Sequence, residues 1–263
     1  MSTTVIPPSR YSRLYDWLKD SQPTETRLGW VHTVSPTKLR QALEVGHITP
    51  EYCDFLKESL TYCFYGRPAY RFALKSTIRN VVWAPSVFIF TPKIEELATR
   101  MYPFDSGAFL DGRYVEWIPA EYELKEFSLP CNSLSQAQHV EEFYKTNRNY
   151  WLGQSTEPTR NFAGELEVTA LIELQGDKSG AAADDRKLAV EMCVGELIPL
   201  NDYYVRAIVV PDGLMDAPYV RQYRDKGGIS VVPYTLFKRK STADQQSIIE
   251  QLVMQMEEAA GAI

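Results

Sequence analysis

The stretch that most restricts what this chain can become is residues 28–46, LGWVHTVSPTKLRQALEVG. Its first six residues have strand composition, and Ser35-Pro36-Thr37 then opens a helix with proline at a tolerated early position. Leu39, Ala42 and Leu43 recur at i, i+3 and i+4, and Gly46 ends the run as a helix stop. The unit is strand, helix, stop.

The rest of the chain does not repeat this unit. Residues 81–92, 165–174, 188–194 and 205–210 have the composition of further strands. Residues 11–20, 50–58, 94–100, 136–145 and 242–260 read as helices, the last with Ile248, Ile249, Leu252, Val253 and Met256 on one side. Residues 21–26, 102–109 and 175–186 read as loops, the last flexible by composition. Strands and helices intermix without a βαβ rhythm, which predicts an α+β fold rather than a doubly wound parallel sheet. No GxGxxG opens a helix, and GDKSG at 176–180 lacks the spacing of a phosphate loop.

The chain has 263 residues, 44% apolar and 24% charged, which is ordinary for a folded protein. Its formal net charge of −6 argues against non-specific polyanion binding. The four cysteines, Cys53, Cys63, Cys131 and Cys193, have neither CxxC pairing nor histidines at zinc spacing, so they are expected reduced and mostly buried, with no metal. No run of signal-peptide or membrane-span length occurs, so a cytoplasmic protein with no membrane partner is expected.

Chemistry concentrates in residues 62–71, YCFYGRPAYR, with four aromatic rings and two arginines. Gly66 and Pro68 predict a turn presenting Tyr65, Arg67, Tyr70 and Arg71 at its edge. Such a corner suits a flat anionic ligand, because rings stack on planar groups and guanidinium forks onto phosphate. The alternative is a packed aromatic corner with its arginines paired elsewhere. Of three histidines, His32 ends an apolar strand, His47 follows a helix end, and His139 lies in an expected surface helix. Glu191 sits inside the apolar run LAVEMCV, either on a solvated face or at a cleft edge, with Glu165 and Glu167 as rivals.

Taken in order, these pieces resemble the ADP-ribosyltransferase superfamily, and more loosely its DarT-like branch that modifies nucleic acid. VHTVSPTKLRQALEVGHITP is similar to the family's histidine strand and glycine-ended helix, and YCFYGRPAYR to its aromatic corner. AVEMCVGELIPLNDYYVRAIVVPDG is similar to its glutamate strand, turn and following strand. The resemblance spans residues 28–215, and Tyr62, Tyr65 and Tyr70 remain rivals for the family's aromatic position.

The resemblance implies a split mixed sheet with flanking helices over residues 28–240, after an N-terminal lead and short helix at 1–27 and before a C-terminal amphipathic helix at 241–263. It implies NAD as co-substrate and a macromolecular acceptor, protein or nucleic acid, in a toxin or phage-conflict role. A second copy of the chain or an inhibitor protein would be the further partner. His32 would bond the adenosine ribose with Thr33 shaping the strand edge, and Tyr65 or Tyr70 would stack on nicotinamide. Arg67 and Arg71 would hold pyrophosphate or orient the sugar. Glu191 would grip the nicotinamide ribose and support its developing positive charge, making Glu191, Arg67 and His32 the catalytic set. Two other readings compete: a non-enzymatic nucleotide or single-stranded nucleic-acid binder using the aromatic corner, and a metal-dependent hydrolase built on Asp105, Asp184 and Asp185.

Overall fold

In a computed structural model that describes residues 12–69, 77–131, 134–177 and 186–263, the expected strand, helix and stop form at residues 30–46. The Ser35 side chain accepts the Lys38 N–H, Pro36 occupies the first turn, and Gly46 closes the helix at φ +81°, a left-handed conformation that glycine adopts without steric cost. Leu39, Ala42 and Leu43 form the buried stripe.

The elements run α1 (Arg13–Leu18), β1 (Trp30–Val34), α2 (Pro36–Val45), β2 (His47–Ile48), β3 (Glu51–Cys53), β4 (Glu58–Tyr65), β5 (Ser86–Phe90) and β6 (Ala98–Tyr102). Then come α3 (Ser106–Leu110), α4 (Ser135–Phe143), α5 (Asn147–Trp151), α6 (Leu166–Gly176), β7 (Glu191–Val194) and β8 (Ile198–Pro199). The chain closes with β9 (Val205–Pro211), α7 (Pro218–Lys226), β10 (Ser230–Tyr234) and α8 (Thr242–Ala259).

The architecture is α+β, a mixed and mostly antiparallel central sheet with flanking helices. Strand order is β10-β9-β5-β1-β4-β7-β6, with β3 also paired to β4 and a separate β2-β8 ribbon. Among the described residues only β9 and β10 run parallel in the central sheet, joined through α7, as a parallel pair requires. Alternation along the strands divides the core. Trp30, Val34, Tyr65, Phe88 and Phe90 join the larger cluster with Leu14, Leu18, Val140 and Leu171 of the N-terminal and middle helices. Val31, Val87, Ile89, Ala207 and Val209 pack instead with Ile249 and Val253 of α8.

Two expected elements take the opposite form. Residues 50–58 do not make a helix: Glu51, Tyr52 and Cys53 pair with Leu60, Ser59 and Glu58 as a hairpin. The helical tendency is confined to one turn, where the Lys57 N–H reaches the Cys53 carbonyl at 2.8 Å, because so short a run cannot offset helix nucleation while the edge of β4 offers partners. Residues 165–174 form helix α6 rather than a strand. Glu167, Val168, Leu171, Leu174 and Gln175 are buried at helical spacing, and leucine, glutamate and alanine are strong helix formers. Within 81–92 the strand occupies only Ser86–Phe90, and the expected helix at 94–100 is a 3-10 segment, Pro92–Leu97, that gives way to β6. Helices α5 and α7 and strand β10 had no counterpart among the elements expected from sequence, although Pro218 and Gly227 bracket α7 as start and stop signals do.

Candidate active site

The site arises where the sheet opens. Strand β1 pairs with β5 over five residues but with β4 over only two, Trp30 with Tyr65 and Val31 with Phe64. Beyond Val31 the two strands part, and the His32 ring spans the gap, its Nδ1 lying 2.8 Å from the Tyr62 carbonyl. A carbonyl partner requires a donor, so Nδ1 carries the proton and Nε2 of the neutral ring is left as an acceptor. Loss of hydration pushes the His32 pKa down, which keeps the ring neutral.

Two cavities meet at this opening. The larger, about 870 Å³, lies among the end of β1, α2 and strands β2 to β4, and its lining includes His32, Thr33, His47 and Tyr62. The smaller, about 330 Å³, shares His32, Thr33, Cys53 and Tyr62 and extends to Phe55, Phe64, Asp105, Arg186 and Glu191. Their sizes match those of small-molecule sites.

Glu191 opens β7 opposite Phe64 of β4 and Tyr102 of β6, and it is 1% exposed. Its Oε1 accepts the Ser106 hydroxyl at 2.5 Å and the Ser106 N–H at 3.3 Å. Burial, then the negative charge of Asp105, push its pKa up to about 8 against the Ser106 hydrogen bonds. Asp105 caps α3 by accepting the Ala108 N–H at 2.8 Å, and its other oxygen lies 2.5 Å from the Arg186 guanidinium. Glu191 and the buried Asp105–Arg186 ion pair thus line the smaller cavity, with Ser106 behind Glu191. Once ionised, Glu191 would place a negative charge where little solvent screens it.

The structure brings His32, Thr33, Tyr62 and Glu191 to this opening and leaves two expected residues away from it. The aromatic corner does not present Tyr65 and Arg67 at an edge. Tyr65 is fully buried, its hydroxyl accepting the Leu28 N–H at 2.9 Å and its ring 5.2 Å from Trp30, so neither ring face is open to a ligand. Arg67 is buried as well, donating to the Tyr150 carbonyl at 3.3 Å. Period-two alternation explains the outcome: Tyr62 and Phe64 point to the smaller cavity, and Cys63 and Tyr65 to the main core. Tyr70, Arg71, Asp184 and Asp185 lie outside the described residues.

His139 is not on a surface. It is fully buried in α4, with its Nε2 3.0 Å from Gln175 Nε2, and burial pushes its pKa down to about 3. His47, in contrast, lines the larger cavity. Ser106 and Arg186 were not among the residues that the sequence singled out. The only local signal for the first was Asp105-Ser106 ahead of a short helix, an N-cap pattern. Among the described residues no group of three or more His, Cys, Asp or Glu side chains is disposed to hold a metal ion, and no helix is long and apolar enough to cross a membrane.

The raised Glu191 pKa has a consequence for stability. The native state holds this proton from the ordinary carboxyl value of 4.5 up to about 8, whereas the unfolded chain has released it. The contribution is therefore complete at low pH and is lost as pH rises through that window, by at most ~1.4 kcal/mol per pH unit. Urea midpoints of the wild type and of Glu191→Gln, compared from pH 5 to pH 8.5, should diverge, the wild type losing more. Parallel curves would show that Glu191 is not held protonated.

No family model matches this chain, and neither the curated proteins nor the solved structures contain a match.

Proposed function

We propose that the chain is an NAD-dependent ADP-ribosyltransferase acting on a macromolecular acceptor, protein or nucleic acid. The observation that carries this reading is the opening between β1 and β4, with His32 on one wall and Glu191 at the far end of the connected cavities. In this reading NAD lies along the opening. The His32 Nε2 accepts a ribose hydroxyl, and the aromatic lining of the smaller cavity, Phe55, Tyr62 and Phe64, takes the nicotinamide in place of the buried Tyr65. The bond from the ribose anomeric carbon to the nicotinamide nitrogen breaks, and its electron pair leaves with nicotinamide. The Glu191 carboxylate, positioned by Ser106, offsets the charge on the sugar more in the transition state than in the substrate. An acceptor nucleophile then bonds to that carbon and gives up its proton to solvent.

A split sheet of this kind also fits the fold that the sequence resemblance implies, and the acid held by Ser106 fits its glutamate. The test is incubation with NAD labelled in the adenosine half, in separate pools of protein, DNA and RNA. One pool should acquire label as nicotinamide is released. NAD bound without nicotinamide release, seen by calorimetry with product analysis, would instead mark a binding protein.

A further inference from the structure

Glu191 is the odd carboxyl in its surroundings. Arg186 and Arg113 line the smaller cavity with it, and Arg100 of β6 stands opposite Cys193 one strand away. Each of these cations is paired with a different carboxylate: Arg186 with Asp105 at 2.5 Å, Arg113 with Asp111 at 3.2 Å and Arg100 with Glu58 at 2.5 Å. Other ionisable groups around Glu191 are neutral. Burial pushes up the pKa values of Tyr62 and Cys63 on β4, Tyr102 on β6 and Cys193 on β7, and pushes that of His32 down. Glu191 itself meets uncharged donors, the Ser106 hydroxyl and N–H and, at 3.7 Å, the Cys193 thiol.

Asp105 and Glu191 are 4% and 1% exposed. Two buried carboxyls beside one guanidinium do not both ionise readily, so the proton stays on the one without the cation. Asp105 and Arg186 are joined twice, by the ion pair and by the Asp105 N–H, which donates to the Arg186 carbonyl at 3.2 Å. Ser106 follows Asp105 directly, and the Asp105 side chain, accepting the Ala108 N–H at 2.8 Å, fixes the turn that aims the Ser106 hydroxyl at Glu191. Arg186 lies in the turn Arg186–Leu188 that leads into β7, so the same pair ties the start of α3 to the strand bearing Glu191.

We propose that Asp105 and Arg186 are positioning residues for Glu191: the guanidinium keeps Asp105 ionised, Asp105 keeps the proton of the pair on Glu191, and their joined turns hold Ser106 ready for the anion that forms when that proton passes to solvent. The use of this arrangement in catalysis rests on the transferase reading above; the placement of the proton is defined without it.

The test is a carbon NMR titration of the full chain, labelled at the side-chain carboxyl carbons of aspartate and glutamate and free of NAD. The signals lost in Asp105→Asn and in Glu191→Gln identify the two groups. In the wild type Asp105 should titrate first and Glu191 near pH 8. Asp105→Asn, which keeps an oxygen for the Ala108 N–H, should lower the Glu191 midpoint by about one pH unit. Arg186→Gln should move the Asp105 titration to higher pH, and Arg186→Lys should bring it back. A wild-type Glu191 that titrates at the ordinary 4.5 would overturn the proposal, even if both substitutions unfolded the chain. So would a Glu191 midpoint within about 0.3 of the wild-type value in Asp105→Asn, or an Asp105 titration that Arg186→Gln leaves in place. Nicotinamide release gives the kinetic readout. At pH 6 Asp105→Asn should raise kcat/KM by about tenfold, since more of Glu191 is ionised there, a gain that a merely structural role for Asp105 would not produce. The two readings fail separately. The titration pattern without nicotinamide release from NAD keeps the pair and loses the transferase. Nicotinamide release by a protein in which Glu191 titrates before Asp105 keeps the transferase and loses the pair.

Discussion

Glu191→Gln should lower the rate of nicotinamide release from NAD by about 10²–10³-fold, the range for removal of one preorganised electrostatic contact to a transition state. The amide keeps the size of the side chain and an oxygen to accept the Ser106 hydroxyl and N–H, so the loss would report charge rather than collapse of the site. The variant should fold, because below about pH 8 the buried acid is neutral and a neutral amide of the same size replaces it. The pH profile supplies an independent readout. The acid must be ionised to offset positive charge on the sugar, yet burial and Asp105 hold its pKa up to about 8 in the protein without substrate. In the wild type kcat/KM should therefore rise with pH and level off above about 8, and Glu191→Gln should abolish that ionisation. Nicotinamide release that Glu191→Gln leaves unchanged would remove Glu191 from the chemistry.

Gly66→Ala should destabilise the protein by about 2–4 kcal/mol, through backbone strain together with overpacking. Gly66 has φ +66°, and a Cβ built there would lie 2.6 Å from the Leu28 Cδ1, itself fully buried. The Gly66 N–H donates to the Gly29 carbonyl at 2.7 Å, so the chain cannot shift away without breaking the junction of β1 and β4. In a domain of this size that loss corresponds to a fall in thermal midpoint of about 5–10 °C. Thermal unfolding followed by circular dichroism would measure it, and a shift under 2 °C would mean that the corner is not packed as described. Gly46 offers the control. It also has positive φ, but a Cβ there meets nothing within 4 Å, so Gly46→Ala should cost only the backbone part, about 1–2 kcal/mol.

Local physics was legible along the chain. The helix start at Ser35-Pro36, the stop at Gly46, the strand composition of β1 and the long run of α8 depend on residues near one another, and the sequence pattern places them correctly. Residues 165–174 misled because Val168, Leu171 and Leu174 satisfy a helical stripe while the intervening residues imitate alternation. Only the position of the segment against the sheet decides which period is used.

The order of apolar runs along the chain indicated an α+β fold and placed a histidine and a glutamate on apolar strands. It also marked the corner at residues 62–71 as dense in rings and arginines. It did not determine which way those rings face. That depends on the register of β4 against β1 and β7, which points Tyr62 to the opening and Tyr65 to the core, and a shift of one residue would exchange them. Nor could spacing reveal that Ser106 reaches Glu191 across 85 positions of sequence, or that Lys38 of α2 meets Glu51 of β3. These contacts exist because the strands pair and then part, and a contact formed by chain closure leaves no periodic mark on the residues that make it.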